Sequence, residues 1–459
     1  MLCDSSPFWL YSLLKITMFY ALLVQFTHGH SEHRGGLCQI KLGWACWLLA
    51  LTAISANLAR AENWPGFRGP GRQGISGEKD IPTEWSRTSN IAWSTPIPGE
   101  GWSSPIVFDD RVFVTTATDK GASFRLVCLD RQTGSIRWDK QVIRQKAGHK
   151  LSQNSYASST PVTDGQRIYV LAFDGSLAAV SMDGDVIWTN RDVDYYSEHG
   201  LAVSPILYED VLITPFDGSS PGPDRKVGWQ KPWDKAFILA LDKNTGKVRW
   251  RARRGQSRIA HVTPQVLSVN GRDQLVSSAG DVVQGFDLKI GDRIWMVSNP
   301  GEGVVPSIVA GDGLIFTTSG FGGPTIRAIR TGGRGDITQT HIAWESTRDV
   351  PMVPSMLYVR PFLFLVTESG VAKCLQAQTG DVVWRHRLGG RYSASPIWAD
   401  GKIYFLSERG KTTVIEVGRD FKIIAQNELE EKCGASPAVS RKHIFIRSEH
   451  RLYCIGQSP

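Results

Sequence analysis

Apolar positions along this chain come in short runs, and the runs recur in a fixed order. A small polar residue and a proline precede an apolar strand. A Gly or Asp turn leads to a second strand, and a third strand carries a small residue. Then comes x-x-Thr-Gly, with a Trp four residues after the Gly. The clearest copies end in Thr133-Gly134-Ser135-Ile136-Arg137-Trp138, Thr245-Gly246-Lys247-Val248-Arg249-Trp250 and Thr379-Gly380-Asp381-Val382-Val383-Trp384. Looser copies end at Trp188, Trp295 and Trp344. A repeat of roughly 40 to 50 residues built only of short strands predicts a β-propeller, whose binding chemistry gathers at one end of a central channel.

The prolines that mark strand starts are Pro105, Pro161, Pro205, Pro264, Pro306, Pro354, Pro396 and Pro437, which makes eight units. Seven run on to a fourth strand; in the seventh, Lys422-Ile423-Ile424-Ala425 replaces the Trp strand. The eighth stops after three strands, at Leu452-Tyr453-Cys454-Ile455. The missing strand is available as Asn90-Ile91-Ala92-Trp93-Ser94, with Trp93 at the repeat's Trp position. The predicted fold class is therefore all-β: an eight-bladed β-propeller whose last blade is closed by an N-terminal strand, which leaves no open sheet edge. The domains read as a targeting region at 1–61, a lead-in at 62–89 and the propeller at 90–459.

In Asp242-Lys243-Asn244-Thr245-Gly246 the Asp bonds back to the turn and the Gly supplies a positive φ. The Trp that follows is expected to stack between neighbouring blades, its indole N–H finding a carbonyl. Cys128, Cys374 and Cys454 share a repeat position held elsewhere by Ala179, Ala240, Gly285, Ala328 and Val414. That position wants a small buried side chain, and cysteine is one solution. Cys433 lies elsewhere and its role stays open. No zinc-type spacing of Cys, His and acidic residues is present.

Composition changes little in this picture. The chain has 459 residues, 41% of them hydrophobic, and a formal net charge of +8. No stretch concentrates that charge, so it reads as a mildly basic solvated surface and not as a nucleic-acid interface. Residues 44–56 are apolar, with Lys41 before them and Ala59-Arg60-Ala61 after, the pattern of a secretory signal cleaved after Ala61. The upstream apolar stretch Phe8 to Phe26, broken by Lys15, reads as a mis-assigned extension, with a transmembrane anchor as the alternative. The chain is expected to be exported, periplasmic or secreted, and monomeric, with membrane association only through its N-terminal region.

The x-Asp-x-x-Thr-Gly-x-x-x-Trp signature resembles the tryptophan-docking repeat of the pyrroloquinoline quinone (PQQ) repeat superfamily. The resemblance covers residues 90–456. That superfamily includes eight-bladed quinoprotein alcohol dehydrogenases and BamB, a non-catalytic scaffold lipoprotein of outer-membrane protein assembly. The opening Asn63-Trp64-Pro65-Gly66-Phe67-Arg68-Gly69-Pro70 looks like the lead-in of secreted PQQ-repeat proteins of planctomycete-type bacteria. The dehydrogenase branch implies a PQQ in the channel, a Ca²⁺ held by Glu, Asn and Asp, an Asp base, and a disulfide between adjacent cysteines. This sequence has no adjacent Cys pair and no C-x-x-C-H.

The segments before each proline, which join the fourth strand of one blade to the first of the next, should encircle the channel mouth. They carry Trp102, Asn154, Tyr156, Glu198, His199, His261, Glu302, Arg391 and Tyr392, nearly one such group per blade. A pocket with a few placed polar groups is one reading, wet polar loops the other. Glu198, Glu302 and Asn154 are the combination on offer for Ca²⁺, and Trp102 and Glu302 for a quinone. The long third unit carries Trp229 and Trp233 in a Gly- and Pro-rich loop on the same face, a lid or partner-contact loop or an insertion packed on itself. The Gly-rich run Thr331 to Asp336 falls on the opposite face with no helix expected after it, so a phosphate cradle is not expected there. The expected function is a non-catalytic, BamB-like scaffold that binds an envelope protein or extended ligand at the mouth, with no cofactor. The alternative is a dehydrogenase with PQQ and Ca²⁺ in the channel.

Overall fold

The computed structural model of the chain describes residues 62–457. The secretory signal and the upstream apolar stretch lie outside the described residues. Among those described, no helix is long and apolar enough to cross a membrane.

Eight antiparallel sheets form the ring. Blade 1 runs through Ile106–Phe108, Arg111–Thr118, Ser123–Asp130 and Ile136–Arg144. The first strands of blades 2 to 8 are Val162–Thr163, Ile206–Tyr208, Gln265–Val269, Val309–Gly311, Leu357–Val359, Ile397–Ala399 and Ala438–Ser440. Blade 8 takes its fourth strand, Ile91–Pro96, from the N-terminal side, and Trp93 lies opposite Cys454. The predicted seam is the observed one.

The core lies between blades. Ile106, Phe113 and Leu126 of blade 1 pack with Ile168, Val170 and Ala178 of blade 2. The tryptophans join the blades further out. The indole N–H of Trp93 donates to Arg131 O of blade 1 at 2.8 Å, and that of Trp188 to Lys243 O of blade 3 at 3.0 Å. Trp138, Trp250, Trp344 and Trp384 each do the same to the following blade. Each repeat Trp also sits directly across from the small residue of its own third strand: Trp138 from Cys128, Trp250 from Ala240, Trp295 from Gly285. In blade 7, where the Trp is Ala425, the facing residue grows to Val414. Three of the four described cysteines are thus explained by the room an indole needs, and all four are free and buried.

Two blades depart from the rule. Trp295 donates to Gln274 of its own blade, at 2.9 Å. In blade 5 Thr331-Gly332 follows the third strand directly, without the two intervening turn residues of the other copies. Instead the run ending in Gly335–Asp336 reaches back and pairs in parallel with Trp295 and Met296. That run is followed by a one-turn helix, Thr338–His341, where none was expected. Between blades 7 and 8 the absent Trp is replaced by Trp85 of the lead-in, stacked on Tyr404 with centroids 6.4 Å apart. Its backbone N–H is taken by Asn427 Oδ1 at 2.8 Å.

The lead-in is an axial plug. Trp64 exchanges both backbone bonds with Val107 of blade 1, and Pro65 O accepts from Thr163 N of blade 2. Arg72 O accepts from Gln265 of blade 4, Gln73 from Ala310 N of blade 5, and Arg68 Nη2 donates to Met356 O beside blade 6. Ile75–Ser76 adds a parallel strand inside blade 7, and Glu62 O accepts from Ser440 of blade 8. The segment therefore satisfies innermost-strand groups in seven of the eight blades.

Prolines are an imperfect marker of strand starts. In six blades the proline immediately precedes the first strand, but Pro306 and Pro354 stand three residues ahead of theirs. The constant feature is a hydroxyl two residues before the strand: Ser104, Thr160, Ser204, Thr263, Ser307, Ser355, Ser395 and Ser436. Backbone N–H groups donate along it from blade to blade, Ser104 to Thr160 Oγ1 at 2.9 Å, Thr160 to Ser204 Oγ at 3.0 Å and Ser204 to Thr263 Oγ1 at 3.2 Å. A second run links Ser307, Ser355, Ser395 and Ser436.

Candidate functional site

The loops entering each first strand share one face with the connections between second and third strands, as alternating strand direction requires. Six of these loops touch in sequence around the mouth. Lys432 Nζ lies 5.2 Å over the ring of Trp102, whose backbone N–H donates to Ser155 Oγ at 3.1 Å. Tyr156 N–H approaches Glu100 Oε1 at 3.4 Å. Asn154 Nδ2 donates to His199 O at 3.0 Å. The rings of His199 and His261 lie 5.9 Å apart, and His261 N–H donates to Val304 O at 2.7 Å, beside Glu302.

Adjacency of loops does not make every side chain point to one spot. Asn154 spends its amide on His199 O and its carbonyl on Ser155 N–H at 2.8 Å, so it is a loop brace. The Tyr156 ring packs edge-on to Phe173, and its hydroxyl donates to Gly148 O at 3.1 Å. Glu198 accepts from Tyr196 OH at 2.7 Å and lies 3.6 Å from His149 and 3.8 Å from Arg225. Glu302 pairs at 3.7 Å with Arg258, which also holds Asp281. Arg391 is exposed and faces Glu408 at 3.4 Å. Tyr392 is 1% exposed and belongs to the core between blades 6 and 7, where burial pushes its hydroxyl pKa up to about 12.

Of the offered Ca²⁺ donors, Asn154 and Glu198 are committed to separate partners, while Glu302 Oε2 has no hydrogen-bond partner among the described residues and only Arg258 near it, at 3.7 Å. Among the described residues no group of three or more His, Cys, Asp or Glu is arranged to hold a metal. The residues present do not fit that ion. Cys433 is buried, its N–H donating to Glu408 O at 3.0 Å, and burial raises its thiol to about 12, which suits packing and not nucleophilic chemistry.

The long connection of blade 3, between Val211–Phe216 and Phe237–Asp242, is strapped down at both ends. Asp217 forms a fully buried two-pronged pair with Arg254, at 2.6 and 2.7 Å. Ser219 N–H donates to Tyr196 O, Ile259 N–H donates to Gly228 O, and Trp233 exchanges backbone bonds with Ser257. This order sets Trp229 edge-on to His199 at 5.5 Å. Trp233 packs against Gly228 and also lines a cleft of about 280 Å³ with Phe173, Tyr195, Tyr196, Pro221 and His149. Sequence reasoning missed that cleft. Its aromatic residues sit at strand ends and loop starts of blades 2 and 3, and no spacing connects them. A wider depression of about 810 Å³ lies at blade 7, lined by Glu408, Arg409, Lys411, Glu428, Glu431 and Lys432 among others.

A profile of the family described as Outer membrane protein assembly factor BamB matches residues 83–237, 232–339 and 325–422. The chain belongs to that family. BamB of Bordetella pertussis is 30% identical over 169 residues, 35% of this chain and 39% of that protein. The quinohemoprotein alcohol dehydrogenase ADH IIB of Pseudomonas putida is 24% identical over 271 residues, 58% of this chain and 34% of that enzyme. A polyvinylalcohol dehydrogenase of a Pseudomonas species is 24% identical over 164 residues, and this chain covers 24% of its length. The chain therefore spans well under half of each of these relatives. Among solved structures, BamB from Moraxella catarrhalis superposes with a TM-score of 0.56 at 13% identity, covering 79% of this chain and 96% of that one. A europium-containing methanol dehydrogenase gives 0.52 at 11% identity, with 86% and 98% covered. At such identities these two likenesses speak for the fold alone. The relatives found thus include both an outer membrane protein assembly factor and alcohol dehydrogenases.

Proposed function

We propose that this chain is an exported, non-catalytic propeller that binds an envelope protein or another extended ligand at its mouth. The observation that carries this reading is the ordered blade-3 connection. It presents Trp229 at the mouth and Trp233 beside an aromatic cleft, while Asn154, Tyr156 and Glu198 are spent on bracing loops. Aromatic side chains with buried backs and accessible edges are what protein recognition uses for affinity. The dehydrogenase relatives favour the second reading, a quinone-dependent oxidoreductase. Its Ca²⁺ donor set is not assembled by the residues offered for it.

The two readings separate in one set of measurements. The purified protein is given PQQ and Ca²⁺, and quinone absorbance and dye reduction with alcohols or sugars are followed. The proposal expects neither a stoichiometric spectral shift nor turnover. A photo-crosslinker at position 229, exposed to envelope extract, is expected to capture discrete polypeptides, and Trp233→Ala is expected to reduce that capture at least several-fold. Stoichiometric quinone binding with turnover would overturn the scaffold reading.

A further inference from the structure

We propose that His199 and His261 form a two-imidazole site for a divalent transition-metal ion of the zinc class, its remaining coordination positions reached from the less buried His199 side. The starting point is an anomaly. His261 is 8% exposed, and neither of its ring nitrogens has a hydrogen-bond partner among the described residues. A buried neutral imidazole carries one N–H and one lone pair, and leaving both unmade is costly. Both nitrogens are enclosed, so bulk water does not satisfy them either. A polar group in that position calls for a missing partner.

The distance to His199 narrows the choice. A direct N–H···N bond between two imidazoles sets their centroids no more than about 5.5 Å apart. A bridging water sets them roughly 6.5 Å apart at a tetrahedral angle and needs both nitrogens open to water. An ion with metal–nitrogen bonds of about 2.0–2.1 Å sets them roughly 5.2 Å apart at the tetrahedral angle, and about 5.9 Å apart when that angle opens to roughly 130°. The observed separation is 5.9 Å with the rings tilted by 44°. It is too long for the direct bond and fits the ion.

The surroundings agree with that chemistry. Burial lowers the pKa of both histidines, that of His261 to about 3, so each ring is neutral with a lone pair free at pH 7. The backbones of both are pinned, His199 through the Asn154 amide and His261 through Val304, and Trp229 backs the His199 ring. Of the neighbouring carboxylates, Glu198 accepts from Tyr196, and Glu302 lies 3.7 Å from Arg258 with its Oε2 otherwise unpartnered among the described residues. Two nitrogen donors without oxygens select zinc-class ions over calcium or magnesium. This site is independent of the scaffold reading and of the quinone alternative.

The test uses the full chain, tag-free and cleared of metal with a chelator. Co²⁺ titration is followed by visible absorption, and Zn²⁺ titration by calorimetry. One equivalent of either ion is expected, bound at least tenfold more weakly by His199→Gln and by His261→Gln. His149→Gln, which alters a neighbouring ring outside the pair, is expected to bind as the wild type does. Should His261→Gln fail to fold, X-ray absorption at the zinc edge of the wild-type complex reads the ligands directly and is expected to show two imidazoles. Absence of one-equivalent binding, equal affinity in the His199 variant, or fewer than two imidazoles at the edge would each overturn the proposal.

Discussion

At the scale of single residues, the Thr-Gly turn and the Trp belong to two different blades that fit one another. Gly134 has φ +72°, and a Cβ placed on it would stand 2.4 Å from the ring of Trp93, the tryptophan of the preceding blade. Gly246 has φ +71° and stands in the same relation to Trp188. The glycine is therefore required twice, once for the left-handed backbone and once to admit the indole. Gly134→Ala is expected to cost about 2–4 kcal/mol in urea unfolding, because it strains the turn and displaces a buried aromatic ring. Gly271→Ala is the control. Its φ is +75° with no atom within 4 Å of the added carbon, so only the backbone strain of about 1 kcal/mol is expected. This level was legible in sequence, since a turn and an indole at fixed spacing leave few other packings. The candidate site was less so. The sequence located His199, His261 and Glu302 in mouth loops, but where a loop side chain points depends on partners far along the chain, as Tyr392 in its core shows.

Elements show where the repeat pattern misleads. The prolines counted the blades correctly but misplace two strand starts, because a proline fits both one and three residues ahead of an edge strand that needs no N–H there. The hydroxyl two residues ahead stands in all eight, and in six of them its oxygen receives the neighbouring blade's N–H. The relay makes a contrast within one repeat position. Ser204→Ala removes the acceptor of a buried amide, Thr160 N–H, and is expected to cost about 1–3 kcal/mol in urea unfolding. Ser307→Ala removes a hydroxyl that has no partner among the described residues and is expected to stay within about 0.5 kcal/mol of wild type. Equal losses would show that the relay bond itself is not what stabilises the inner ring.

For the propeller as a whole, closure is achieved twice, by Trp93 with Cys454 at the rim and by the plug at the axis. The rim seam could be read from a missing strand and a spare one. The plug could not, because Asn63 to Ser76 has no strand period, and its bonds go to backbone groups that no sequence pattern marks. The free edges of eight innermost strands face the axis, and unpaired strand edges are both costly and adhesive. In the intact chain the amides of Val107, Thr163, Ala310 and Trp398 donate to Trp64, Pro65, Gln73 and Gly74. Hydrogen exchange should therefore find these four edge amides strongly protected. A chain lacking residues 62–80 keeps Trp85 and the Ile91–Pro96 strand. In it those amides are expected to exchange at least a hundredfold faster, while amides paired within the second and third strands, such as Val114 with Val127, change little. Uniform loss of protection would mean instead that the ring cannot stand without its plug. Unchanged protection at the four edges would show that the lead-in does not occupy the axis.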